Sequence, residues 1–308
     1  MRFMLSLMVG APLALTLVFV SPQAATSQDN TVTLEMYMDL ESVSNPQISP
    51  DGQHIVFTRG GIDKVNDRRY SEVWIMDADG GRKRFLVDGS SPVWSPDGTR
   101  IAFTASGDPS GSQIFVRWMD AEGATSQITR VERGPGSLQW SPDGTQIAFT
   151  MAVEDAEKWT VSLPPRPDGA SWIEGPKVVD RLNYRSDRRG FVDTSHSHIF
   201  VVPADGGTPR QLTDGEWNHS GPRWAPDGSE IYFSSLREDE ADWMWRESEV
   251  YAVDVNTGAF RQLTSRRGPD SGPVPSPDGR LIAYQGQDWS TDTYVENGLY
   301  VMNTDGSN

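Results

Sequence analysis

Residues 92–103 read Pro-Val-Trp-Ser-Pro-Asp-Gly-Thr-Arg-Ile-Ala-Phe, and the same order of apolar residue, turn and apolar run recurs along the chain. The turn, Ser/Ala-Pro-Asp-Gly, occurs five times, at residues 49–52, 95–98, 141–144, 225–228 and 276–279. Its aspartates are 46, 46, 84 and 51 residues apart, close to the length of a four-stranded propeller blade, with one long insertion in the third repeat. The repeat predicts an all-β fold, a β-propeller of four-stranded blades.

The composition of the tetrapeptide explains why it forms a turn. Proline presets φ at the first turn position, aspartate tolerates the second, and glycine takes the left-handed conformation that follows. We therefore assign a structural role to fifteen turn residues: Pro50, Asp51, Gly52, Pro96, Asp97, Gly98, Pro142, Asp143, Gly144, Pro226, Asp227, Gly228, Pro277, Asp278 and Gly279.

The residues around each turn supply the strands of a blade. Trp94, Trp140 and Trp224 immediately precede their turns and are predicted to pack, whereas short apolar runs after the turns are predicted to form buried strands. A third strand follows, and most copies then reach a polar turn and a fourth strand ending in Leu-Thr or similar, as at residues 210–213. The last copy stops at that polar turn.

An open ring leaves sheet edges and an apolar blade face exposed. The sequence therefore predicts an incomplete propeller, truncated from a ring of seven or eight blades. The alternative is a complete ring of five blades in which residues 31–38 supply the missing outer strand.

The first 27 residues predict an export signal. Arg2 precedes an apolar run over residues 3–20, and small residues near Ala25–Ser27 suit cleavage. The alternative is an uncleaved anchor, because the run approaches bilayer-spanning length.

We expect a periplasmic or secreted protein with a signal peptide at 1–27, a linker at 28–45 and the propeller at 46–308, with an insertion at about 155–195. No later segment is apolar enough to span, so no stable membrane insertion is expected after cleavage.

Charge and cysteine content exclude several classes of partner. The 308 residues include 43 acidic and 27 basic side chains, giving a net charge of −16 that repels nucleic acid and anionic membranes. The chain has no cysteine, which excludes disulfides and thiolate sites. No metal or other cofactor is predicted, because residues 77–80 lack the remaining ligands of a calcium loop and His196 and His198 lack a third ligand. His219 is expected to orient a loop.

The insertion is the most specific part of the sequence. It contains Trp172, Pro176-Lys177-Val178, residues 180–185 and Gly190-Phe191, and it runs into His198–Thr213. Together with Ile114–Asp120, these stretches resemble acylaminoacyl-peptidase and dipeptidyl-peptidase-like members of the prolyl oligopeptidase family of serine peptidases, over essentially the whole mature chain. The resemblance implies short peptide substrates and a partner, the chain's own C-terminal α/β-hydrolase domain with a Ser, Asp and His triad.

That hydrolase domain is absent from the sequence. No Gly-x-Ser-x-Gly elbow occurs, so we assign no catalytic residue and predict that this chain is inactive alone. The chain resembles part of a serine peptidase.

One loop of the fourth blade is the candidate substrate-contact segment. If it faces the cavity between propeller and hydrolase, a carboxylate there would hold a substrate's free amino terminus and aromatic side chains would line the passage. The predicted substrate-contact residues are Glu238, Glu240, Trp243, Arg246 and Glu247. An ordinary solvated loop is the alternative.

The sequence therefore favours the substrate-gating propeller portion of an exported serine peptidase. The alternative is a stand-alone TolB-like periplasmic protein-binding propeller. TolB-like proteins carry a small α/β domain ahead of the propeller, whereas about 20 residues separate the predicted signal from the first turn here. A propeller that binds or cleaves carbohydrate would need paired carboxylates in the axial channel, which a sequence does not locate.

Overall fold

The computed structural model describes residues 31–120, 122–155, 164–173, 178–179, 181–188, 190–192, 194–244 and 246–307. The predicted signal peptide and part of the insertion, including residues 176, 177 and 180, lie outside these ranges, as does Trp245. Within them, no helix has the length and apolar character needed to cross a bilayer. The chain divides into two units, residues 1–39 and 40–308.

The described part of the first unit is a short helix, α1 (Leu34–Met38). Thr33 caps it, because its Oγ1 accepts a hydrogen bond from the backbone N–H of Met36 at 3.2 Å. Residues 34–38 are therefore not a strand, and the alternative in which residues 31–38 complete a five-bladed ring is wrong.

In the described residues the second unit contains five antiparallel blade sheets, one for each repeat, and a separate two-stranded hairpin, which confirms the all-β class and the blades. Blade 1 consists of β1 (Ser42–Ile48), β2 (His54–Asp63), β3 (Arg68–Asp77) and β4 (Arg84–Asp88). Blade 2 consists of β5 (Ser90–Trp94), β6 (Arg100–Ser106), β7 (Ser112–Trp118) and β8 (Thr125–Gln127). The first strand begins at Ser42, inside the range predicted as a linker.

Blade 3 carries the insertion between its second and third strands. It consists of β9 (Gly136–Trp140), β10 (Gln146–Glu154), β13 (Ser195–Pro203) and β14 (Arg210–Gln211), and the insertion contributes a hairpin of β11 (Arg185–Ser186) and β12 (Gly190–Phe191). Blade 4 consists of β15 (His219–Trp224), β16 (Glu230–Ser235), β17 (Glu249–Asp254) and β18 (Phe260–Gln262). Blade 5 has three strands in the described residues, β19 (Asp270–Pro275), β20 (Leu281–Gly286) and β21 (Gly298–Asn303).

Each predicted turn joins the first and second strands of its blade. Gly144 has φ +69° and donates its N–H to the carbonyl of Ser141 at 2.9 Å. The Ser141 hydroxyl donates to Asp143 at 2.6 Å and accepts the N–H of Gln146 at 2.9 Å. The other four glycines have φ between +69° and +75°. The same hydrogen bonds therefore hold the turn and the first residue of the strand that follows it.

The predicted packing role of the tryptophans is also confirmed. Trp94, Trp140 and Trp224 are all buried. Each indole N–H donates to a backbone carbonyl of the preceding blade, at Gln47 (3.2 Å), Val93 (3.0 Å) and Gln139 (3.2 Å) respectively. Apolar burial and a satisfied indole therefore coincide at each of these blade contacts.

A second repeated motif closes three blades at the end of the fourth strand. In the sequences Gln127-Ile128-Thr129, Gln211-Leu212-Thr213 and Gln262-Leu263-Thr264, the glutamine amide donates to the threonine carbonyl. The threonine hydroxyl accepts the backbone N–H of Ile114, Ile199 or Val250 in the third strand, at 2.9 Å in each case. The Leu-Thr ending therefore serves as an anchor between the fourth and third strands.

Strand direction separates two sides of the propeller unit. Because neighbouring strands are antiparallel, all connections from first to second strands lie on one side, which we call the turn face. The connections from second to third strands, and the links from one blade to the next, lie on the other side, which we call the loop face. The described residues of the insertion and of the segment 236–248 lie on the loop face.

Candidate functional site

The predicted substrate-contact residues lie in the connection between β16 and β17 on the loop face of blade 4. Glu238, Glu240 and Trp243 point to solvent, and the Trp243 side chain is 72% exposed. Arg246 donates from Nη1 to the carbonyls of Ser290 (2.8 Å) and Asp292 (3.2 Å) in blade 5. Their contact with a substrate stays a prediction.

Glu247 differs from the exposed glutamates of the same loop. Its Oε2 accepts the backbone N–H of Gly268 at 2.9 Å, its Oε1 lies 3.6 Å from Arg267, and its side chain is only 14% exposed. The carboxylate is therefore used to tie the loop to the link between blades 4 and 5. An exposed role for Glu247 would require this contact to open.

The insertion contacts the same loop through Asp242, which the sequence alone did not single out as a separate site. Its carboxylate accepts the backbone N–H of Leu182 at 2.7 Å and the side-chain amide of Asn183 at 3.3 Å. Tyr184 and Phe191 of the insertion pack together with ring centroids 6.2 Å apart. The structure therefore brings the family-specific insertion and the candidate contact loop together.

The neck of the insertion is closed by a buried polar cluster. Asp155 Oδ1 lies 2.6 Å from His196 Nδ1, and Asp155 Oδ2 lies 3.3 Å from Arg181. The backbone N–H of Asp155 donates to Thr194 O at 2.8 Å. These contacts join the two ends of the insertion, so His196 has a structural partner.

The other two histidines of this region have structural partners as well. His198 Nδ1 lies 3.3 Å from the hydroxyl of Thr213. His219 Nδ1 faces the carbonyl of Ser197 at 3.1 Å, and its Nε2 faces Arg237 at 2.8 Å. A carbonyl on one side and a guanidinium on the other require the neutral Nδ1–H tautomer, and burial lowers the pKa of His219 to about 4.

Among the described residues, no three His, Asp or Glu side chains lie close enough together to hold a metal ion. A small pocket of about 250 Å³ does open between the loops of blades 4 and 5. It is lined by Arg246, Pro269, Gln287, Asp292, Thr293 and Val295.

The turn face carries two further clefts, of about 350 Å³ and 700 Å³, between consecutive turns. The turn aspartates there are held as anions; the Ser276 hydroxyl and Arg280, for example, lower the pKa of Asp278 to about 2. These carboxylates accept backbone N–H groups of their own turns.

Residues 155–293 match the family described as dipeptidyl peptidase IV (DPP IV) N-terminal region. This match spans the insertion, blade 4 and most of blade 5. The predicted resemblance to the N-terminal propellers of the prolyl oligopeptidase family is confirmed.

Curated relatives agree with this family. Dipeptidyl-peptidase 5 of Porphyromonas gingivalis is 27% identical over 290 residues, covering 86% of this chain and 40% of that protein. The chain spans only 29–40% of the length of the curated relatives it matches. The propeller is therefore related to peptidase N-terminal regions.

Two solved structures show the fold. The acylaminoacyl peptidase of Pyrococcus horikoshii matches with a TM-score of 0.66 at 16% identity, covering 88% of this chain and 39% of that one. A putative TolB from Agrobacterium tumefaciens matches with a TM-score of 0.52 at 20% identity, covering 87% of this chain and 79% of that one. The fold is thus shared by propellers of peptidases and of TolB-like proteins.

Proposed function

We propose that this chain is the substrate-gating propeller of an exported serine peptidase that cleaves short peptides. The observation that carries the proposal is the family match over residues 155–293, because it covers the insertion and the loop that Asp242 joins to it. The catalytic Ser, Asp and His would come from the chain's own C-terminal α/β-hydrolase domain. Export rests on the apolar segment at the amino terminus.

In this proposal the propeller selects substrates by size. A closed ring of blades leaves a narrow axial channel and covers the active site, so folded proteins do not reach the nucleophile. The loop face of blades 3 to 5 would line the chamber. Glu238 and Glu240 would then attract a peptide's amino terminus, and Trp243 would provide an apolar contact.

The loop can be tested in the full-length peptidase by measuring dipeptide release. We expect Glu238→Ala to raise KM by about tenfold with little change in kcat, because a charged contact that is equal in ground and transition states is lost. Glu247→Ala should also raise KM, because it frees the loop from Gly268, and Glu247→Gln, whose amide oxygen can still accept that N–H, separates the loss of charge from the loss of the bond. Glu122→Ala, an exposed glutamate on the turn face, is the control. Unchanged KM values for both loop variants would refute the substrate-contact role.

The second candidate is a TolB-like protein-binding propeller, which the coverage of the TolB structure favours, because this chain spans 79% of that one. The coding sequence downstream of Asn308 separates the two. An elbow of the Gly-x-Ser-x-Gly type there supports the peptidase, whereas a stop codon supports the binding propeller. The chain by itself should not react with a fluorophosphonate probe; labelling would place a nucleophilic serine in the propeller and contradict the proposal.

A further inference from the structure

Two buried carboxylates lie at the seam between blades 4 and 5, near enough that the charge of one raises the pKa of the other. Glu249 begins β17 and is 7% exposed, and Asp270 begins β19 and is fully buried. The backbone N–H of Asp270 donates to Ser248 O at 2.6 Å, and the Ser248 hydroxyl donates to Asp270 O at 3.2 Å. The seam therefore joins the candidate contact loop to blade 5.

The other blades show what Glu249 does in the repeat. Gln113, His198 and Glu249 each directly precede the third-strand residue whose N–H bonds the threonine of the Gln-x-Thr motif. The Thr129 hydroxyl donates to Gln113 Oε1 at 2.9 Å, and the Thr264 hydroxyl donates to Glu249 Oε2 at 2.5 Å. All three side chains at this position are buried.

This position suits a neutral side chain. Glutamine carries no charge, and burial lowers the pKa of His198, which favours its uncharged form. A protonated glutamic acid has nearly the shape of glutamine and offers the same acceptor oxygen to the threonine. An ionised Glu249 would instead place a buried charge where the sibling blades have none.

The positive charges near the seam pair with carboxylates other than Glu249, so Glu249 can carry a proton. The guanidinium of Arg266 contacts Asp270 and lies 3.3 Å from Asp288, while Arg267 is near Glu247. One guanidinium therefore serves the buried Asp270, and the second buried carboxylate, Glu249, is bonded to a neutral hydroxyl.

The pKa values support the same assignment. Burial raises the pKa of Glu249 to about 7; the bond from Thr264 lowers it, and the charges of Asp270 and Glu247 raise it. Burial raises the pKa of Asp270 as well, while Arg266 lowers it. The charged and titratable groups that face this seam are Glu247, Glu249, Arg266, Arg267, Asp270, Tyr284, Asp288 and Tyr300.

We propose that Glu249 is a proton-operated latch between blades 4 and 5. Protonated, it accepts the hydroxyl of Thr264 as Gln113 accepts that of Thr129 in blade 2, and it places no second charge beside Asp270, so residues 247–249 stay packed against residues 268–270. Ionised, it weakens this seam and, with it, the anchorage of the candidate contact loop. The latch does not depend on whether the propeller serves a peptidase or binds a protein.

The sign of the pH dependence follows from the raised pKa. The folded chain holds this proton up to about pH 7, whereas the unfolded chain releases it near 4.5. Stability from the latch is therefore complete below the unfolded pKa and is lost as pH rises through the folded one. Between the two values, the unfolding constant should rise by about tenfold per pH unit through this group.

The test is urea unfolding of the purified chain and of Glu249→Gln from pH 4.5 to 8. The ratio of the two unfolding constants isolates the latch, because His219 and other groups titrate in both proteins and cancel. We expect that ratio to change by about tenfold per unit below pH 7 and to level off above it, with Glu249→Gln the more stable protein at pH 8.

The converse variant is Gln113→Glu, which installs a carboxyl at the equivalent position of blade 2. It should acquire a new loss of stability as pH rises, which keeps the test decisive if Glu249→Gln expresses poorly. A constant ratio at every pH would overturn the proposal. So would a stabilisation by Na⁺, K⁺ or Ca²⁺ that Glu249→Gln abolishes at every pH, because the missing positive charge would then be a metal ion.

Discussion

At the scale of single residues, three tryptophans perform a task that apolar burial alone would not require. Trp94, Trp140 and Trp224 fill the contact between blades and also satisfy a carbonyl of the preceding first strand. A buried carbonyl without a partner costs free energy, so ring and N–H act together. The sequence predicted the packing role because each tryptophan stands at the same place in its repeat.

Replacing Trp140 by Phe should lower the free energy of unfolding by about 1–2 kcal/mol, because Val93 O loses its donor and part of the buried ring is removed. Trp118, half-exposed over the same Arg100, is the matched control, and Trp118→Phe should cost less than about 0.5 kcal/mol. Urea unfolding of both variants checks this. Equal losses would mean that the indole bond contributes nothing measurable.

At the scale of elements, the turns were predictable and the bulges were not. Proline, aspartate and glycine each have a local conformational reason to stand in the turn, so a short window of sequence suffices. Each first strand also contains a left-handed residue four positions before the turn, and the register shifts there in the strand pairing. In three blades that residue is Asn45, Ser91 or Ser137 and not glycine, so the local sequence does not predict the bulge.

Gly144→Ala should lower the free energy of unfolding by about 1–2 kcal/mol, because a left-handed φ of +69° is unfavourable for a residue with a Cβ. Steric crowding is not the cause, since the nearest atom to such a Cβ, Arg100 Nη2, is 3.6 Å away. Gly136→Ala, in β9 at a φ that is not left-handed and with a similar 3.5 Å neighbour, should be close to neutral. Thermal or urea unfolding measures both; a larger loss for Gly136→Ala would contradict this explanation.

At the scale of the whole molecule, the loop face gathers segments that are distant in sequence. Asp242 of blade 4 bonds residues 182 and 183 of the insertion, and Glu247 bonds the link to blade 5. Particular stretches of the insertion carried the family resemblance, but its docking on Asp242 was not predictable, because about 60 residues separate the partners. Glu247 was predicted as a substrate contact, whereas its observed bond is to a backbone N–H.

Asp242→Ala should release the insertion from the contact loop. Loss of the hydrogen-bonded carboxylate should lower the free energy of opening the insertion by about 1–2 kcal/mol. The opened form would then be more populated, and tryptic cleavage after Arg181, Arg185 and Arg188 would be faster by about five- to thirtyfold. Asp239→Ala, an exposed acid of the same loop, is the control. Limited proteolysis followed by mass spectrometry gives the rates, and identical cleavage of the two variants would show that Asp242 does not hold the insertion.

The repeat was enough to predict the fold class and the position of each blade, because these depend on local dihedral preferences and on a fixed period. The structure was needed to show that His196 closes the insertion on Asp155 and that Glu249 lies against a buried seam. Those features depend on burial and on partners contributed by distant segments. Desolvation and a neighbour's charge, which give a carboxyl or an imidazole its chemistry, exist only once the blades have packed.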